Sequence, residues 1–232
     1  GKYFTNYGVI ILLMTLIIKA VLMPLTFKSY MSSARMRVLK PQMEEINTKY
    51  PGQDKAMDRQ RATMELYSNA GVNPMSGCLP MLLQMPILLA MFAFFPSSIE
   101  LRQQPFLWAD DLSSYDAIFT WDAYIPLITP YFGNHISLFC LLMTITNILY
   151  TKINMDSTGG GQQMPGMKLM MYLMPLMFLF IFNNYASGLS YYYFVSLLIT
   201  IIQTYIFRKC INEEKVLAKL KENQKKPRKK SG

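Results

Sequence analysis

Apolar residues run almost unbroken along five stretches of the chain, 8–27, 76–96, 136–155, 167–183 and 189–207, and polar residues collect between them. Each run matches the roughly 17–25 residues that carry a helix across a hydrocarbon core. The runs are continuous rather than alternating, which argues against the period-two pattern of a membrane barrel. The predicted fold class is therefore all-α, a polytopic membrane protein with five transmembrane helices. Between the first two runs, residues 33–70 keep a helical period but turn mostly polar. Met36, Leu39, Met43, Ile46 and Tyr50 form one stripe, Met57, Met64 and Tyr67 a weaker one, and "YPGQDK" separates them. This predicts an αα-hairpin, with Gly71 as its C-cap and Pro74 opening the next run.

Charge orients these elements. Residues 28–75 hold eight Lys or Arg and the tail from Arg208 holds ten, whereas 97–135 holds Arg102 alone beside Glu100, Asp110, Asp111, Asp116 and Asp122. Basic residues near the ends of spanning helices mark the cytoplasmic side. The N-terminus is thus predicted outside, the hairpin inside, 97–135 outside, and 156–166 and the tail inside. The net charge of +9 reads as a topology signal that also suits anionic lipid or RNA. "SSIELRQQPFLWADDL" mixes apolar and charged residues, as expected either of a segment lying at the membrane surface or of an aromatic-belt loop. "STGGGQQMPG" reads as a flexible inner linker and "KKPRKK" as a solvated, disordered run. The tail lies outside every apolar run and is expected to be dispensable for folding.

Cys78, Cys140 and Cys210 lack paired spacing and sit at different predicted depths, so neither a disulfide nor a metal site is expected. The single His135 excludes a bis-histidine haem and is expected to be an ordinary interfacial residue. No nucleophile, base or metal constellation appears; no enzyme site and no cofactor are expected. The chain opens on neither an initiator Met nor a signal pattern, which fits the core of a longer protein.

A lysine, Lys19, stands near the middle of the first run, inside "IILLMTLIIKAVLMPL". A cation at the bilayer centre costs about 2.5–3.5 kcal/mol on insertion scales. The five runs contain no Asp or Glu to pair with it. Snorkelling would have to cover most of the distance to Lys28, nine residues or roughly 13 Å along the helix, unless Pro24 kinks it. Thr15 lies one turn away on the same face, and a water-filled groove along that face is the favoured reading. Further polar residues inside the runs are Gln84, bracketed by Pro80 and Pro86, then Thr144, Thr146, Asn147, Asn183, Asn184, Tyr191, Tyr192, Tyr193, Ser196, Thr200 and Gln203.

"IIKAVLMPLTFKSYMSSARMRVLKPQM", "MELYSNAGVNPMSGCLPMLLQMPILLAMF", "SIELRQQPF" and "SGLSYYYFVSLLITIIQ", in this order along 8–208, closely resemble the YidC/Oxa/Alb family of membrane insertases. The resemblance implies a five-helix core over 1–210, a cytoplasmic hairpin at 33–70 and a basic cytoplasmic tail over 211–232. It implies insertion and folding of newly made membrane proteins, alone or with the Sec translocon and without nucleotide hydrolysis. The implied site is a hydrophilic groove open to the cytoplasm and to lipid, with Lys19 in the place of the family's groove arginine. Thr15, Gln84, Met85, Pro86, Tyr192 and Tyr193 fall on its groove or substrate-contact positions. Ribosome and targeting-factor contacts are implied for the hairpin and tail, and the implied location is the bacterial inner membrane. Two departures stand out: lysine replaces arginine at 19, losing the planar fork, and 113–135 is longer than usual. Relatives from Gram-negative bacteria usually add a leading helix and a periplasmic domain. A small anion transporter or channel using Lys19 as its filter is the rival reading, although the paired repeats of an alternating-access carrier are missing.

Overall fold

Helix α1 (Tyr7–Val38) carries the first apolar run well past its end. The computed structural model describes residues 6–52, 54–73, 79–124, 126, 129–157 and 167–225. After α1 come α2 (Lys40–Lys49), α3 (Ala56–Ala70), α4 (Leu79–Ser97), a 3-10 turn Ile99–Leu101, β1 (Phe119–Thr120), α5 (Thr129–Phe132), β2 (His135–Ile136), α6 (Leu138–Ser157), α7 (Met167–Phe182), α8 (Ser187–Cys210) and α9 (Glu213–Lys225). Helix thus dominates, in line with the all-α prediction. By length and composition α1, α6 and α8 can each cross a membrane, and α4 and α7 are shorter apolar helices. Large apolar side chains on their outer faces are exposed, Ile17 at 65% and Leu89 at 64% among them, as lipid requires and water would penalise. Pro74, Cys78, Gln53, the glycine-rich linker 158–166 and the basic run 226–230 lie outside the described residues.

One compact unit comprises 1–23, 83–151 and 168–203. Its core gathers Ile11 of α1, Phe95 of α4, Phe139 and Met143 of α6, Phe182 of α7 and Leu189, Tyr192 and Val195 of α8. Helices in lipid gain little from apolar transfer and depend on close packing and hydrogen bonds. The start of α8 is accordingly small: Ala186, Ser187, Gly188 and Ser190 are all buried. A Cβ at Gly188 would come within 2.9 Å of the Leu112 carbonyl, which accepts the Gly188 N–H at 3.0 Å. Leu101, Ala109 and Leu112 are buried in this core. The 98–137 segment therefore folds down onto the helix ends rather than hanging as a loop, and the β1–β2 pair, Phe119 with Ile136 and Thr120 with His135, closes it.

The other unit comprises 24–82, 152–167 and 204–232. Its core is Met36 at the end of α1, Leu39, Met43 of α2, Tyr67 and Ala70 of α3, Val72, and Leu220 of α9. Met36 was expected in the first hairpin helix, but the chain breaks later, at Leu39. Inside a continuous helix Pro41 would remove one backbone bond and clash with the Arg37 carbonyl, whereas in the first turn of a new helix its missing N–H costs nothing. The stripe expected on the second helix is half wrong. Met57 and Met64 are 76% and 47% exposed, and the buried face is Thr63, Tyr67 and Ala70, set by the i, i+4, i+7 spacing around the Tyr67 ring. Gly71 caps α3 with φ +69° and Gly52 turns the preceding loop with φ +86°, values that favour glycine. Residues 213–225, in the tail expected to be dispensable for folding, form α9, because Val216 and Leu220 give it an apolar stripe that packs here.

Candidate functional site

Lys19 is half-buried, and its Nζ donates to Thr200 Oγ1 on α8 at 2.8 Å. Thr200 Oγ1 in turn donates to the Ser196 carbonyl one turn back at 2.8 Å. The Tyr192 hydroxyl lies near the Ser196 and Gln84 side chains. Residues 192, 196 and 200 succeed one another at i, i+4, i+8, so a single face of α8 carries the polar line from Lys19 of α1 to Gln84 of α4. Among the described residues no carboxylate lies within ion-pairing distance of Lys19. Three atoms of this unit, Gln84 Nε2, Ser190 Oγ and Gln203 Oε1, are buried without a hydrogen-bond partner. Each orphaned polar atom costs on the order of 1–3 kcal/mol. The arrangement thus offers a cation, unspent donors and an unspent acceptor at the depth of the apolar runs, a set that can solvate polar groups.

Of the residues singled out from sequence, Lys19, Gln84 and Tyr192 belong to this line. Thr15 shares the Lys19 face and is fully buried, but spends its hydroxyl on the Ile11 carbonyl of its own helix at 2.7 Å. Tyr193 is half-buried beside Tyr150 and Tyr192. Met85, 46% exposed, and Pro86 face outward from α4 and stand apart from the line.

A family model described as "60Kd inner membrane protein" matches residues 1–215. The chain belongs to this family, YidC/Oxa/Alb. It is 75% identical over its whole length to a protein of Parabacteroides distasonis, and 59% identical over 99% of its length to one of Porphyromonas gingivalis, both named membrane protein insertase YidC. A Bacteroides fragilis protein of the same name is 57% identical over 96% of the chain. The chain spans 37% of the length of the first two and 36% of the third. Membership in the YidC/Oxa/Alb family, together with the apolar helices, makes it an integral inner membrane protein.

This YidC/Oxa/Alb chain holds a second polar cluster, at the start of α6, that the hydrophobic pattern does not single out. The buried Asp116 carboxylate accepts Trp108 Nε1 at 2.9 Å, Leu138 N at 2.9 Å, Phe139 N at 3.2 Å and the Ser137 hydroxyl. It is an N-cap delivered from 21 residues upstream, placed where the helix dipole favours an anion. Asn183 ties the same region to the end of α7: its Oδ1 accepts Ser137 N at 2.9 Å and its Nδ2 donates to the Phe132 and His135 carbonyls. His135, expected at the interface, is buried, stacks on Tyr115 at 3.9 Å and bonds the Asn183 carbonyl through Nε2 at 2.9 Å. Nearby, burial pushes the Asp111 carboxyl up, but Ser113, the Gln103 backbone and Arg102 together hold it below the usual carboxylate range. Ser137, at the opening of the 136–155 run, was a legible cap signal; its distant partner Asp116 was not. Ser196, Thr200 and Gln203 were legible as one face by spacing alone.

Proposed function

We propose that this chain is the membrane-embedded working part of an insertase, which inserts newly made inner-membrane proteins and helps them fold. The observation that carries the reading is Lys19, a cation inside an apolar helix held by the neutral oxygen of Thr200, with unspent polar atoms buried in the same unit. A cation so placed lacks compensation unless water or a polar client segment reaches it. In the proposed mechanism, Lys19, Thr200, Tyr192 and Gln84 line a hydrated groove that lowers the barrier for a short polar segment entering the bilayer. Lys19 attracts its acidic residues. Thr15, Met85, Pro86 and Tyr193 border the path, and the exposed apolar faces of α4 and α8 let the new helix pass into lipid.

The five crossings, a cytoplasmic placement of α2 and α3, an outside N-terminus, and contacts with ribosome, targeting factors and the Sec translocon belong to this proposal. Its support is the family membership, the names of the relatives and the charge pattern. The test is insertion of a single-span substrate by reconstituted protein, alongside flux of a labelled anion. Parent protein is expected to insert without passing anions, and Lys19→Arg to retain activity. Lys19→Glu should slow substrates with an acidic leading segment roughly tenfold, an effect of 1–2 kcal/mol at protein-surface dielectric, and neutral ones less. Anion flux without insertion would establish the channel reading instead. Equal rates for Lys19→Leu, Lys19→Glu and parent on acidic substrates would remove the electrostatic role.

A further inference from the structure

Phe27, Lys28, Met31, Ser32 and Arg35 line a cavity of about 290 Å³ on α1. Lys28, Ser32 and Arg35 follow at i, i+4, i+7 and so share a face, flanked by the apolar pair Phe27 and Met31. Lys28 and Arg35 are exposed, and among the described residues neither has a carboxylate in ion-pairing range; Glu213, on α9 of the same unit, is taken by Arg37. The helix is braced here, since the Phe207 ring of α8 meets Phe27 edge-on at 5.2 Å and Tyr30 at 5.6 Å. The apolar run ends at Phe27. Residues 28–35 therefore rise through roughly the next 10 Å, about the depth of the headgroup layer.

We infer that this cavity binds the phosphate of an anionic glycerophospholipid. The Arg35 guanidinium takes two phosphate oxygens, Lys28 supplies the second charge, Ser32 a hydroxyl, and Phe27 and Met31 the apolar edge against which the glycerol and first acyl carbons lie. A polynucleotide has phosphates but no use for that edge, and a zwitterionic lipid brings a cation towards a site that already holds two.

The test titrates detergent-purified full chain with phosphatidylglycerol, phosphatidylcholine or inorganic phosphate, counting bound lipid by native mass spectrometry. Phosphatidylglycerol is expected to bind about tenfold more tightly than phosphatidylcholine. K28Q/R35Q should lower its affinity by about tenfold or more and R35Q alone by roughly fivefold, from about one kcal/mol per cation. R35K, which keeps the charge and loses the two-pronged grip, should fall between parent and R35Q, and R59Q/R61Q, which removes the same charge from α3, should change nothing. Inorganic phosphate should not displace the lipid. Equal affinity for phosphatidylcholine, an equal loss in R59Q/R61Q, or displacement by inorganic phosphate would each overturn the proposal, pointing respectively to acyl-chain binding, to diffuse charge, or to a free-anion site.

Discussion

Two charges set against apolar surface, Asp116 buried and Lys19 half-buried, are handled in opposite ways. The Asp116 carboxylate is saturated by four donors that belong to its own fold, whereas the Lys19 ammonium has one threonine oxygen recorded as acceptor. Saturation suits a structural role, and the incompleteness at Lys19 is what the proposed function assigns to a client segment or water. Asp116→Ala removes an N-cap, worth about 1 kcal/mol, and strands buried donors at about 1–3 kcal/mol each, so a loss of roughly 2–4 kcal/mol is expected. Thermal unfolding in detergent should show a lowered midpoint, and Trp108, freed of its partner, should emit further to the red. Asp116→Asn keeps an acceptor and should fall between. A midpoint unchanged in the alanine variant would mean that Ser137 and Asn183 hold the helix end without it.

At the scale of elements, the apolar runs were legible because a long unbroken run has few alternatives, and Gly71 marked a helix end, whereas the break that Pro41 imposes after Val38 did not enter the expected hairpin. The α9 helix was not legible as part of the core. Its Lys-rich composition hides an apolar stripe whose central residue, Leu220, is 3% exposed against Met36, Met43 and Tyr67. Arg37 with Glu213 and Gln42 with Gln224 at 3.1 Å fasten both ends of the same contact. A packing partner some 150 residues away leaves no periodic trace near α3. The consequence reverses the expectation that the tail is dispensable. Truncation after Cys210, or Leu220→Ala at about 2–3 kcal/mol, should speed amide exchange across α2 and α3 while leaving α6 and α8 protected. Exchange in α2 and α3 unaltered by truncation would mean that α9 merely rests there. Tyr67 should hold up best, because its hydroxyl is bonded to Met43 Sδ at 2.7 Å within that pair.

At the scale of the whole molecule, the question is which helix faces meet water within the bilayer and which meet lipid. The polar line was only partly legible: Lys19 announced itself by its cost, but Met85 and Pro86, chosen on resemblance, face outward from α4, and Thr200 was legible as part of a polar face of α8 but not as the residue that holds Lys19. A hydrated line and a lysine that snorkels past dry walls predict different chemistry for a thiol. The parent's Cys78, Cys140 and Cys210 must first be replaced, and Cys140, buried with its Sγ donating to the Leu179 carbonyl at 3.6 Å, calls for serine or alanine with a stability check. Single cysteines at 84, 193 and 200 then line the proposed path, while cysteines at 17 and 89 replace the lipid-exposed Ile17 and Leu89. A charged, membrane-impermeant reagent reacts with the thiolate, which forms only where water solvates it. The first three positions should label at least tenfold faster than the last two, whose thiols sit in hydrocarbon where the charged form is strongly disfavoured. Cysteine at 15 is the sharpest control, since Thr15 shares the Lys19 face but is fully buried; it should label only while a client is being inserted and the helices part. Uniform protection at 84, 193 and 200 would leave Lys19 to snorkelling and remove the groove from the mechanism.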